Sequence, residues 1–239
     1  MPADRVFVPS VAVRIPTRLI VRVAFAVLAL LTVASFTAGI MRHVFGIDTA
    51  AGLIRQFNFD DEANLPTFFS ALCLGACSAA MFLASAVSRR SGDGLAARWN
   101  ILGIIFAAMT VDEIAQLHET LMQLIWKVYR PGGMFHYVWV IPGMIFVVVV
   151  AAAYLKFLFR LPRATRNGLM VAGAIYVAGA LGMELVSGAY VEAHPAPDLT
   201  RFVLNTIEEA LEVVGLILCF GVVGRHLAAA KAEISLRID

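Results

Sequence analysis

Six stretches of the chain are long and almost continuously apolar: Leu19–Ile40, Leu65–Val87, Trp99–Ile125, Val138–Phe157, Gly168–Val191 and Phe202–Val223. Each is near the length of about 20 apolar residues that a helix needs to cross a bilayer's hydrocarbon core. The pattern predicts an all-α polytopic membrane protein, a bundle of six transmembrane helices forming one domain over residues 1–239. Arg14, Arg18 and Arg22 lead into the first stretch, as basic residues lead into a secretory signal. Its apolar run is too long for a signal core and no small-x-small cleavage site follows, so it reads as a retained span.

The longest polar connection runs from Met41 to Asn64. Within it Ile47, Leu53, Ile54 and Phe57 are spaced as one helical face ahead of Asp60-Asp61-Glu62, which predicts a short interfacial helix on the outer leaflet. Asn64 before Pro66 predicts a capped start for the second span.

Composition excludes a soluble domain. The chain is 60% hydrophobic and only 15% charged, against about 25% charged residues in ordinary soluble domains. Three cysteines build no disulfide framework; Cys73, Cys77 and Cys219 read as packing residues. The net charge of +2 says little, but its distribution is informative. Fourteen Lys and Arg fall on one side of the six spans, and only Arg42, Arg55, Lys127, Arg130 and Arg201 on the other. This bias predicts a plasma-membrane protein with both termini cytoplasmic. Its basic residues are expected to meet anionic lipid, not nucleic acid. Trp99, Trp126 and Trp139 fall at expected membrane boundaries.

The acids supply the candidate chemistry. Of 17 Asp and Glu, seven lie inside expected spans: Asp112, Glu113, Glu119, Glu184, Glu208, Glu209 and Glu212. Only His118 stands among them as a basic side chain. One ionisable group at mid-bilayer costs about 2.5–3.5 kcal/mol on the most lenient scale, so seven require an explanation. Glu119 lies about 10 Å below the outer end of its span at the helical rise. Glu184 and Glu208 come to similar depth, with Glu212 one turn further in. On an unbroken helix Asp112, Gln116 and Glu119 share one face, as do Glu208 and Glu212. A ridge of small residues, Ala174, Ala178 and Gly182, is placed to let helices approach below Glu184.

Carboxylates converging in oil need protons or cations. Carboxylates with one imidazole suit Fe, Mn or Zn, and the candidate ligands are Glu62, Asp112, His118, Glu119, Glu184, Glu208 and Glu212, for one or two divalent ions. Glu113 or Glu209 would be left as the general base. Familiar motifs fail: His118-Glu119 lacks the second histidine of H-E-x-x-H because Met122 stands there, and Ala115 occupies the glutamate position of Glu-x-x-His.

The run from Asp60 to Ser70, the pair Asp112-Glu113 with His118-Glu119, and Glu208-Glu209 with Glu212 together resemble a family of bacterial six-span membrane proteins without an assigned activity. The resemblance implies no chemistry; it associates Glu62 with the membrane acids. Three readings follow from the residues. The first is a membrane-embedded metalloenzyme, a hydrolase or oxidoreductase acting on a lipid or other hydrophobic substrate. The second is a proton or cation transport protein using the same acids, although the inner halves of the spans offer few polar residues for an exit. The third is a non-catalytic subunit, in an oligomer or larger membrane complex, pairing its acids with a partner's cations.

Overall fold

A computed structural model describes residues 16–47, 49–59, 61 and 63–230, together with the two short strands β1 (Val11–Ala12) and β2 (Ser235–Leu236). Glu62 lies outside the described residues. The strands pair antiparallel, Val11 opposite Leu236, and the described residues between them are helical or connecting chain. The helices are α1 (Thr17–His43), α2 (Leu53–Phe57), α3 (Leu65–Ser91), α4 (Ala96–Ala115), α5 (Leu117–Trp126), α6 (Val140–Arg160), α7 (Arg163–Val177), α8 (Glu184–Ala193) and α9 (Leu199–Ala229).

Four helical segments are long and apolar enough to cross a membrane: α1, α3, α6 and the continuous run Arg163–Ala193. The bent pair α4–α5 makes a fifth if it is one broken span. Two of the expected spans therefore depart from straight helix. The third breaks at Gln116, where φ is 54° and ψ 42°, and α5 leaves α4 at 68°. The fifth contains a π-helical segment, Ala178–Met183, between α7 and α8. The sixth expected span lies within α9, the helix at the centre of the bundle.

Packing against α9 organises the rest. Its end lies against the start of α1, where a side chain on Gly224 would collide with Thr17, and its start lies against the end of α1, where one on Gly39 would collide with Phe202. The two helices are therefore antiparallel along their length, and the start of α1 and the end of α9 lie at one end of the bundle, here the terminal end. The Cys77 thiol on α3 donates to the Leu216 carbonyl of α9 at 3.3 Å. On α7, Thr165 pairs with His226 at 3.3 Å.

The main core lies in the terminal half. Trp99 is 0% exposed and meets the Phe157 ring edge-on at 5.0 Å, surrounded by Leu74, Met81, Leu216 and Val223. Outward-facing apolar side chains are equally telling. Leu30, Val33, Ile145 and Val148 are all more than half exposed, and only 17% of the apolar window of α1, and of α6, lies inside the bundle, against 50% for α3. Apolar surface on that scale belongs in lipid.

The connection before α3 differs from the expected interfacial helix. Positive φ at Ala50, Ala51 and Gly52 breaks the run, leaving the five-residue α2, whose Ile54 is buried against the bundle while Leu53 is exposed. Asn64 does cap α3: its side-chain oxygen accepts from the Thr67 amide at 3.1 Å, and its Nδ2 donates to the Asn58 carbonyl at 2.6 Å. At the far end of the chain's last turn, Asp198 caps α9 through the Arg201 amide at 2.8 Å.

Candidate carboxyl network in the half opposite the termini

The break in α4–α5 is held by one carboxylate. Asp112, in the last turn of α4, accepts from the His118 backbone amide at 2.9 Å through Oδ1 and pairs with His118 Nδ1 at 3.0 Å through Oδ2. A carboxylate at a helix start satisfies otherwise unpaired amides and meets the positive end of the helix dipole, so Asp112 caps α5 while Gln116 takes the left-handed conformation between them. Such a conformation costs a non-glycine residue about 1–2 kcal/mol. The bend also overturns the expected shared face of Asp112, Gln116 and Glu119. Helical phase is lost at Gln116, so Asp112 reaches His118, and Glu119 instead stands in the first turn of α5, where the dipole favours an acid.

Glu113 turns the other way. Its carboxyl accepts from Ser70 on α3 and lies within electrostatic reach of Asp112 and His118. It also lies within reach of Glu212 on α9, and Glu212 in turn takes a hydrogen bond from Tyr176 of α7. Glu209 stands within reach of Tyr176 and Glu208.

The most direct carboxyl contact is between α8 and α9. Glu184, opening α8 just after the π segment, and Glu208 bring their carboxyls within hydrogen-bonding reach of each other. Trp139 Nε1, at the start of α6, donates to Glu184 Oε1 at 3.0 Å, and the Trp139 ring lies 5.7 Å from the His118 ring. Two carboxylates in contact repel; a proton shared between them turns the contact into a hydrogen bond.

Close backbone approach makes this contact possible. A Cβ at Gly179, inside the π segment, would stand 2.8 Å from the Glu208 carbonyl oxygen and 2.9 Å from Glu212 Cγ. A Cβ at Gly215 would stand 2.8 Å from Tyr176. The small-residue ridge expected from spacing is not the one used: Ala174, Ala178 and Gly182 are exposed, while Gly179 is buried against α9. The π segment, a feature frequent at functional sites, shifts the phase of everything after it.

The structure thus joins Asp112 to His118, Glu113 to the neighbourhood of Glu212, and Glu184 to Glu208. It brings in three residues that spacing did not single out, Ser70, Trp139 and Tyr176. A tryptophan read as an interface marker and a phenol at the depth of the acids were the available signals. As to a metal centre, no group of three or more His, Cys, Asp or Glu among the described residues could hold a metal ion together. The described donors therefore do not by themselves assemble the expected Fe, Mn or Zn site, and no step is derived through one.

Above the network, Trp126, Arg130, Gly132, His136 and Glu192 line a crevice of about 270 Å³ at the loop end, with His136 Nδ1 paired to Glu192 at 3.2 Å. Below it lies the apolar core around Trp99. The free cysteines sit in that lower layer, Cys77 and Cys219 buried.

A family model described as "Domain of unknown function (DUF8692)" matches residues 23–225. No curated protein and no solved structure matches the chain.

Proposed function

We propose, for a chain that belongs to this family, that it is a six-span membrane protein whose buried carboxyl network takes up and releases a proton from the side of the bundle opposite the termini. The observation that carries this reading is the Glu184–Glu208 carboxyl contact, steadied by the Trp139 indole N–H. A shared proton satisfies that contact without an internal Lys or Arg, and none lies between Arg166 and Arg201 or between Arg201 and Arg225.

The packing of α9 supports the count of six spans. Because α9 runs antiparallel to α1 along its length, it crosses whatever α1 crosses. The Lys and Arg bias then favours cytoplasmic termini in a bacterial plasma membrane. Proton exchange would be one-sided. The layer between the acids and the terminal end is built from Leu74, Cys77, Leu216, Cys219 and Trp99, and its serines are spent on backbone carbonyls, Ser78 on Gly103 and Ser85 on Ala96, each at 2.8 Å. The network is therefore a proton-responsive site rather than a conduit. Two broken helices, at Gln116 and at Ala178–Met183, border it and are the elements that protonation would rearrange, as discontinuous helices do around buried ion sites in transporters.

Difference titration of the detergent-purified protein against Glu208→Gln and Glu184→Gln tests the reading. One reversible proton that disappears in both variants is expected. Stoichiometric Fe, Mn or Zn in the wild type, lost in the variants, would instead restore the metal-centre reading. Steady proton flux in liposomes would replace a proton-responsive site with a conduit.

A further inference from the structure

At the terminal end, the first turn of α1 and the last turns of α9 enclose a crevice of about 640 Å³, lined among others by Arg18, Leu19, Arg22, Gly224, Arg225 and Ala228. Three guanidinium groups from two helices therefore share one concavity. All three arginines are exposed, and no carboxylate among the described residues pairs with any of them. Arg18 and Arg22 are one turn apart on the same helix face, a like-charge spacing that is unfavourable without a counter-ion. The residue before the first turn of α1, Pro16, provides no side-chain cap, and the positive end of this 27-residue helix faces the same region.

The walls narrow the choice of anion. Leu19 is 59% exposed, and Gly224 and Ala228 present no bulk, so a cationic rim stands beside an apolar side at the level where α1 enters lipid. A free phosphate has no use for that apolar wall. A phospholipid uses both, placing its phosphodiester among the guanidinium groups and its glycerol and upper acyl carbons along Leu19. We propose that this crevice binds the phosphodiester headgroup of an anionic phospholipid from the leaflet at the terminal end, an inference that rests on the membrane-spanning reading above. The bound lipid would bridge α1 to α9, and α1 is one of the two helices with least of their surface inside the bundle.

The test begins with alkaline carbonate extraction of membranes. A chain released into the soluble fraction would defeat the membrane-spanning reading itself. With the chain retained, native mass spectrometry of the detergent-released full chain compares phosphatidylglycerol, phosphatidylcholine and inorganic phosphate as added probes. Each arginine near the surface is worth about fivefold in binding, so Arg22→Ala with Arg225→Ala should weaken phosphatidylglycerol retention by about thirtyfold. Arg89→Ala with Arg90→Ala, at the same end but outside the crevice, should leave it unchanged. Arg22→Lys with Arg225→Lys keeps the charge and the fold and should retain a weakened preference for phosphatidylglycerol over phosphatidylcholine. Equal retention of the two lipids, equal losses in the two alanine pairs, or full displacement by inorganic phosphate would each overturn the proposal.

Discussion

In the half of the bundle near the termini, polar side chains are spent locally. Ser78 and Ser85 bond to backbone carbonyls of α4, and the largest buried side chain, Trp99, packs against Phe157 and His226. In the opposite half, Glu184 meets Glu208, Glu113 lies near Glu212, and Asp112 pairs with His118. The helices differ accordingly: α3 is regular through both halves, whereas α4–α5 and α7–α8 run regular helix in the terminal half and break at the level of the acids. The contrast separates a half of regular helix and apolar packing from a half in which carboxyl contacts and irregular backbone coincide, the coincidence on which the proposed proton response rests.

Substitutions in the two halves should therefore have different signatures. The largest effect is expected for Trp99→Ala, which empties a fully buried site and costs about 3–5 kcal/mol. Thermal unfolding in detergent should fall steeply while the acid titration of the remaining folded protein stays unchanged. Trp99→Phe sharpens this, because the buried Trp99 Nε1 has no hydrogen-bond partner, so losing it breaks no hydrogen bond and the cost should be smaller than for Trp99→Ala. Next comes Gly179→Ala. Its Cβ would press on the Glu208 carbonyl oxygen at 2.8 Å, and backbone must move, at about 1–3 kcal/mol. Here stability and the Glu184–Glu208 titration should change together; an unaltered titration would break the comparison.

Asp112→Ala removes the cap of α5 and should cost about 1 kcal/mol, read locally as faster hydrogen exchange over residues 117–126 with little change near Trp99. The smallest effect belongs to Asp93, in the connection between α3 and α4. Burial opposes its ionisation, but hydrogen bonds from Ser88, Leu95 and Ser91 and the Arg160 guanidinium outweigh it and hold its carboxyl below the ordinary value of 3.8. A depressed carboxyl stabilises the fold above its unfolded value and loses that contribution as pH falls through the folded one. The gap in melting temperature between wild type and Asp93→Asn should thus be constant above about pH 5 and close as pH falls below about 4. A gap that widened in acid would contradict the assignment.

The all-helical architecture, the Asn64 cap and the approach of Glu184, Glu208 and Glu212 to one another were legible because apolar run length, cap chemistry and helical rise determine them. The break at Gln116 was not, since no glycine or proline stands between Val111 and Gln123; the bend depends on a capping contact from Asp112 that only the folded chain supplies. The phase of α7 and α8 was misjudged for a related reason. Ideal helix geometry puts Ala174, Ala178 and Gly182 in a row, and one π segment turns Gly179 toward α9 in their place. Gathering acids at one depth was accessible from spacing; pairing them as Glu184 with Glu208 and Asp112 with His118 depended on those two irregularities.

Infrared difference spectroscopy of the carboxyl C=O stretch, across a pH step in the reconstituted protein, addresses the shared proton most directly. A protonated-carboxyl band that responds to pH on the side opposite the termini, sensitive to deuterium and absent in Glu208→Gln, is expected. A spectrum with no such band, or one identical in wild type and variant, would contradict a proton held between Glu184 and Glu208.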